Sequence, residues 1–254
     1  MLKDIITAIQ AYFEAHRFIR EHKLWKWILA PGILYAILFM ISMYYFGHTA
    51  NSFIEWLSLK TGLKTWLDKM NDGLLSFLFT LGNLVFWLVM MLFYFSLFKF
   101  FILVAGSPVF AYLSEKTEAI IEGKDYPFSF RQLTKDIARG IRIALRNCAW
   151  QTVYTFSILV LSIVPVIGWI TPILALMVEC YFYGFSMLDY SMERHKKTAA
   201  ASIVYIGNHK GLAIGNGMAF YFMHLVPFVG WVLAPAYAVI AATLSMYPLK
   251  EETR

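Results

Sequence analysis

Charge is scarce in this chain, and most of it lies at the borders of long apolar runs. Asp, Glu, Lys and Arg make up 15% of its 254 residues and apolar residues 59%, where a soluble domain carries about 25% and about 45–50%. A water-soluble fold of this length has too little interior for that apolar content, so a soluble domain is excluded. Cysteine is nearly missing: Cys148 and Cys180 sit in or beside apolar stretches without metal-ligand spacing. A disulfide framework and a zinc site are thereby excluded, and both thiols are read as packing residues. There is no Gly-x-Ser-x-Gly elbow, phosphate-cradling Gly-rich loop or His-Glu-x-x-His pair, and no paired carboxylates within the apolar runs. No enzyme, cofactor or metal chemistry is expected from such a chain. Nor do aromatics interleave with a basic groove, so the net charge of +6 suits lipid headgroups or small anions and not nucleic acid. The first residues include Lys3, Asp4 and Glu14 and lack an unbroken apolar run, so a cleavable leader is not expected.

What is present is helical and suited to lipid. Residues 1–23 place Ile5, Ile9, Tyr12 and Phe13 near one helical face, which predicts an amphipathic helix lying on a membrane. Residues 24–47 hold Lys26 as their one charge and exceed the roughly 30 Å hydrocarbon thickness when helical. Residues 74–105 form a second, longer span that must tilt, bend or project, with Lys99 snorkelling near its inner end. Ser107-Pro108 reads as the cap and first residue of a new helix, and Ser129 with Gln132 as a capping box. Residues 106–146 are thus predicted to be cytoplasmic amphipathic helices. The second presents Arg131, Lys135, Arg139, Arg142 and Arg146 beside an apolar stripe of Phe130, Leu133, Ile137, Ile141 and Leu145, a pattern suited to the headgroup zone.

The remaining apolar segments, 149–190 and 212–247, are copies of one another. Val164-Pro165-Val166-Ile167-Gly168-Trp169 in the first answers Val226-Pro227-Phe228-Val229-Gly230-Trp231 in the second. Each copy is broken midway, and about 16 residues of helix, ~24 Å, falls short of a comfortable crossing. Each is a helical hairpin, either dipping in and returning or crossing twice around a tight outer turn. Broken helices leave amide N–H groups where the dipole is positive, so Gly168 and Gly230 are candidate anion contacts. Lys23, Leu24 and Lys26 at the first span, with Arg146 and Lys210 before the two repeats, complete the candidate anion-binding set. Glu179 is the acid inside an apolar segment, either functional or a satisfied interhelical contact with a group such as Tyr183. His224 and Asn216 are intramembrane polar residues read as interhelical glue. Gly207, Gly211 and Gly215 form overlapping Gly-x-x-x-Gly motifs for close packing. Nineteen of the 22 Lys and Arg fall in segments flanking the spans on one side and three in 48–73, which predicts both termini inside.

In order along the chain, His22-Lys23-Leu24-Trp25-Lys26 up to Pro31, Ser107-Pro108 through Leu113-Ser114-Glu115-Lys116-Thr117-Glu118, Leu188-Asp189-Tyr190-Ser191-Met192-Glu193-Arg194-His195-Lys196, Asn208-His209-Lys210-Gly211 and Pro227 to Pro235 form recognisable blocks. Through them the chain resembles CysZ-type sulfate permeases within the wider etoposide-induced membrane protein family. The resemblance implies an all-α, single-domain bacterial inner-membrane protein of two long spanning helices and two partly penetrating hairpins. It also implies a homo-oligomer whose subunits insert in opposing orientations, and passive sulfate uptake feeding cysteine synthesis. The family's sulfate contacts lie in a Gly-Leu-Arg-Arg stretch; here Leu24 and Lys26 match, His22 or Lys23 replaces the glycine and Trp25 an arginine. Tryptophan offers an oxyanion no bidentate fork. The partners expected are the bilayer, a small inorganic anion and further copies of the chain; a non-transporting membrane scaffold or lipid-organising protein is the other reading.

Overall fold

Residues 1–60, 73–124, 130–164, 166–194 and 198–251 are described by the computed structural model. Among them every regular element is helical: α1 (Leu2–Glu21), α2 (Trp25–Lys60), α3 (Gly73–Glu122), α4 (Phe130–Ser162), a 3-10 turn (Ile167–Ile170), α5 (Thr171–Arg194), α6 (Ala199–Asn208), α7 (Lys210–His224) and α8 (Val229–Glu251). Four stretches are long and apolar enough to cross a bilayer: Trp25–Ala50, Thr80–Glu122, Ile167–Met192 and Val229–Tyr247. Pro165, the Ser129 cap and the side chains of Arg131, Phe130, Leu133 and Ile137 lie outside the described residues.

Three expected boundaries are corrected. The helix of the first span does not stop at residue 47; α2 runs on to Lys60, with Trp25–Ala50 as its apolar stretch, because nothing between Gly47 and Lys60 breaks a helix. The break expected at residues 105–108 is absent: α3 passes through Pro108 as one helix of 50 residues, ~75 Å long. Pro108 has no N–H for the Val104 carbonyl, and the Ser107 hydroxyl donates to that oxygen instead at 2.9 Å. The basic helix expected to end at residue 146 continues into the first hairpin arm as α4, Phe130–Ser162.

Small residues set how the helices meet. On α5, a Cβ at Gly184 would strike the Ala213 carbonyl of α7; on α7, one at Gly217 would strike the Cys180 carbonyl of α5. These reciprocal contacts make an antiparallel seam at the most extensively packed helix pair. Gly32 of α2 is closed in the same way by the Val232 carbonyl of α8. The Gly-x-x-x-Gly run is the seat of α1: Gly211 meets Met1 and Asp4, and Gly215 meets Ile5 and Ala8, while Gly207 touches nothing within 4 Å. Helix α1 buries Ala8, Ala11, Ala15 and Ile19 against α7 and α8 and leaves Leu2, Ile6 and Phe13 exposed. The face it presents to the bundle is therefore lined mainly by alanines, with Ile19 and Tyr12 packed beside them.

The repeat is visible in the backbone. At Val166 and Phe228, equivalent residues just after the two prolines, φ is +70° and +59°, a left-handed conformation that costs most at a β-branched residue. The chain then folds back so that Gly168 N–H donates to Val164 O (2.8 Å) and Gly230 N–H to Val226 O (2.9 Å). Both glycines are buried, and a Cβ on either would strike a carbonyl of the preceding arm, Ser162 or Met223.

Candidate functional site: a buried polar seam

An ionised carboxylate in a bundle of apolar helices needs a counter-charge and donors, since desolvation otherwise outweighs any packing gain. Glu179 of α5, 1% exposed, has both. Its Oε2 accepts from Lys99 Nζ of α3 at 2.7 Å and from Tyr221 Oη of α7 at 2.8 Å. Its Oε1 accepts from Gln151 Nε2 of α4. Lys99 Nζ donates in turn to Gln151 Oε1 at 2.7 Å and lies 4.8 Å from the Phe100 ring centre. Four helices thus meet at one charge-assisted network. Two expectations change here. Lys99 does not snorkel but is buried at 6% exposure, because the Glu179 charge sits on the inner side of α3. Tyr183, in turn, stacks on Phe220, and the tyrosine on Glu179 is Tyr221.

The network belongs to a longer seam between α4 and α5. Asn147, Gln151 and Thr155 recur every four residues on α4 and are all buried; Glu179, Ser186 and Asp189 line the facing side of α5, also buried. Arg139 Nη2 closes one end, donating to Asp189 Oδ1 at 2.9 Å and to Ser202 Oγ at 2.6 Å. Arg139 was expected to reach lipid phosphate; it turns inward because Asp189 supplies a buried counter-charge. Asn147 Nδ2 approaches Ser186 Oγ at 3.5 Å. Thr155 Oγ1 is buried without a hydrogen-bond partner.

The remaining candidates are placed as follows. Arg146 is half-buried, donates to Asn147 Oδ1 at 3.0 Å and lies 5.8 Å from the Phe185 ring centre. Lys23, in a left-handed link at φ +53°, Lys26 and Lys210 are exposed, and Leu24 is a core residue at 3% exposure. Lys23 follows the end of α1, whereas Lys210 precedes Gly211 at its start. Some 20 residues of helix, ~30 Å, separate them, so these lysines do not form one cluster within the chain. Gly168 and Gly230 do not offer free amides; the preceding turn carbonyls take them. They are closure points of the two turns. Asn216 Nδ2 donates to Ala238 O at 3.0 Å, and Tyr12 Oη donates to Asn216 O at 2.9 Å. His224 Nε2 lies 3.0 Å from Tyr35 Oη, with the Phe39 ring at 4.6 Å. Both act as interhelical contacts. Residues missed by sequence reasoning are Gln151, Thr155 and Tyr221, although Asn147-x-x-x-Gln151-x-x-x-Thr155 was a legible polar stripe in an apolar helix.

A family model described as Sulfate transporter CysZ/Etoposide-induced protein 2.4 matches residues 11–235, a stretch that contains the whole seam. The Sulfate transporter CysZ of Pseudomonas aeruginosa is 27% identical over 228 residues, covering 86% of this chain and 89% of that protein. A protein of the same name from Pseudomonas fluorescens is 24% identical over 246 residues, covering 96% and 94%. One from Pseudomonas syringae is 24% identical over 221 residues, covering 86% and 87%.

Proposed function

Since this chain belongs to the Sulfate transporter CysZ/Etoposide-induced protein 2.4 family, we propose that it is a passive permease for a small oxyanion, sulfate first. It is a multi-pass membrane protein. In this reading it sits in the bacterial inner membrane as a homo-oligomer with both termini cytoplasmic, and it delivers sulfate to sulfur assimilation. The observation that carries the proposal is the match over residues 11–235, through both long helices and the first hairpin and into the second as far as the start of α8. The 15-residue α7, ~22 Å long, supports a second hairpin that penetrates the bilayer only in part.

The charges support the same reading. Exposed Lys23, Lys26 and Lys210 raise the local anion concentration at the membrane border, an effect that salt screens within about 10 Å at 0.1 M. No energy source is called for, because a concentration gradient and a low barrier suffice. Purified protein in liposomes is expected to pass radiolabelled sulfate without ATP or an imposed ion gradient. Vesicles no leakier than protein-free controls to sulfate and to other oxyanions would refute the proposal. Lys26→Ala is expected to lower the initial rate severalfold at low ionic strength and less at high.

One feature favours a second reading, a lipid-organising scaffold. Lys135 and Arg142 are exposed on α4, and Trp25 stands where the family places an arginine. A scaffold predicts that binding to anionic vesicles depends on Lys135 and Arg142 while sulfate flux is absent. A permease predicts flux that survives their neutralisation.

A further inference from the structure

The Glu179 carboxylate is held as an oxyanion would be held: by a cation, Lys99, and two neutral donors, Gln151 and Tyr221, arriving from three other helices. Tetrahedral and planar oxyanions ask for the same thing, several convergent donors with one positive charge among them. Resting on the permease reading above, we propose that this cradle is the chain's intramembrane anion site and that Glu179 is its resident, displaceable occupant. The α4–α5 seam is then the anion's path within one subunit.

Three observations carry it. The first is the composition of the seam. Asn147, Gln151 and Thr155 face Glu179, Ser186 and Asp189 over ten residues of α5, with Arg139 at one end and Lys99 further in. A structural ion pair needs a partner, not a file of polar groups along the depth of the bundle. Second, Thr155 Oγ1 is 2% exposed by residue and has no hydrogen-bond partner, one helical turn from Gln151 on the same face. A buried hydroxyl with nothing to bond is costly, and a passing oxyanion would give it an acceptor. Third, the acids on the seam both lie on α5 and the cations on α3 and α4. Movement of α5 alone would withdraw both carboxylates together and free Lys99 from the Glu179 charge, facing the path. An arriving dianion then replaces Glu179 at Lys99, and Glu179 replaces it again on departure. The exchange conserves hydrogen bonds, so binding is neither unattainable nor too tight to reverse.

The test measures initial sulfate influx at sub-saturating sulfate in liposomes holding the full chain, with folding of each variant followed by gel filtration and thermal melting. Glu179→Gln keeps the shape but removes the competing charge and turns one of the two accepting oxygens into an amide donor; influx is expected to rise about tenfold. The neutral pair Lys99→Met with Glu179→Leu leaves no buried charge unpaired, and influx is expected to fall at least about tenfold. Thr155→Val is the variant least able to disturb folding, because its hydroxyl has no partner to lose. Its melting point is expected to stay or rise while influx falls about two- to tenfold. A purely structural seam predicts unchanged flux in Thr155→Val and in any folded neutral pair, and that result overturns the proposal. Wild-type flux with unaltered variants overturns the site alone. Silence in wild type and in Glu179→Gln overturns the permease reading with it, whereas silent wild type with a conducting Glu179→Gln upholds a site closed by its own carboxylate.

Discussion

The two hairpins share their punctuation and differ in what they enclose. In both, a residue at positive φ and a buried glycine fold the chain back, and the glycine amide bonds to the equivalent carbonyl four residues earlier. Yet the alignment that sets Gly168 on Gly230 sets Gln151 on Ala213, Thr155 on Gly217 and Glu179 on Ala241. These three polar groups, at the inner part of the seam, have alanine or glycine as their counterparts, whereas Asn147 falls on His209 and Asp189 on Glu251. The first hairpin therefore closes around a hydrogen-bonded charge, the second around close-packed backbone, with Ala234, Ala236, Ala238, Ala241 and Ala242 all buried. Backbone shape comes from a few positions at the turn. What the arms enclose is free to diverge, because small residues and a satisfied network are two ways to fill the same space between helices.

The comparison breaks most sharply where a charge loses its partner. Glu179→Leu alone leaves Lys99 buried and unpaired, and should destabilise the protein by about 3–5 kcal/mol. Restoring neutrality with Lys99→Met should recover most of that loss. Thermal melting in detergent checks both, and an unchanged midpoint for Glu179→Leu would remove the network from the core. The reciprocal change, Ala241→Glu in the second hairpin, should destabilise comparably, since it puts a carboxylate at a fully buried position. A mild effect there would mean that the two interiors are interchangeable.

Next in size is the close-packed side. Gly184→Ala and Gly217→Ala each drive a Cβ into a carbonyl of the facing helix, where the backbone has to yield, and each should cost about 1–3 kcal/mol. Gly207→Ala, whose Cβ would meet nothing within 4 Å, should be neutral or stabilising by up to about 1 kcal/mol. Melting points in that order test the seam; equal losses at all three would mean that glycine acts here through the chain's flexibility and not through contact. The turns come after. Gly168→Ala and Gly230→Ala meet the same obstacle in each copy, a carbonyl of the preceding arm, so their effects should match each other. A loss confined to one would show that the repeat is shared in sequence but not in load.

The sequence made the turns legible because Pro-x-x-Gly-Trp punctuation is local: the residues that cause the turn are the residues in it. The all-helical class, the spans and the close packing at Gly211 and Gly215 were legible for the same reason, each being a matter of composition or spacing along one helix, although that α1 is the helix seated there was not. The seam was not. Lys99, Gln151, Glu179 and Tyr221 come from four helices and 123 positions of chain, and each has an ordinary explanation when viewed alone. Lys99 looked like a snorkelling lysine because position along a helix says nothing about which side an acid lies on. Gly168 and Gly230 looked like amide donors because spacing reveals a break but not where its N–H groups turn.

The smallest effect concerns a proline that does not break its helix. Pro227 precedes a residue at positive φ and ends an arm; Pro108 sits inside α3, which continues to Glu122. The difference lies beside the ring. A proline removes one N–H from the ladder and strands the carbonyl four residues back, and at Val104 that carbonyl takes the Ser107 hydroxyl at 2.9 Å. Ser107 is 2% exposed, so no water stands ready to replace it. Ser107→Ala should therefore cost about 1 kcal/mol and let α3 bend more at this point. Ser107→Thr, which keeps the hydroxyl, should recover part of it. Hydrogen exchange reads the effect directly: amides of residues 109–112 should exchange faster in Ser107→Ala while those near Phe100 stay unchanged. Equal protection in variant and wild type would mean that packing, and not this hydroxyl, holds the helix together across Pro108.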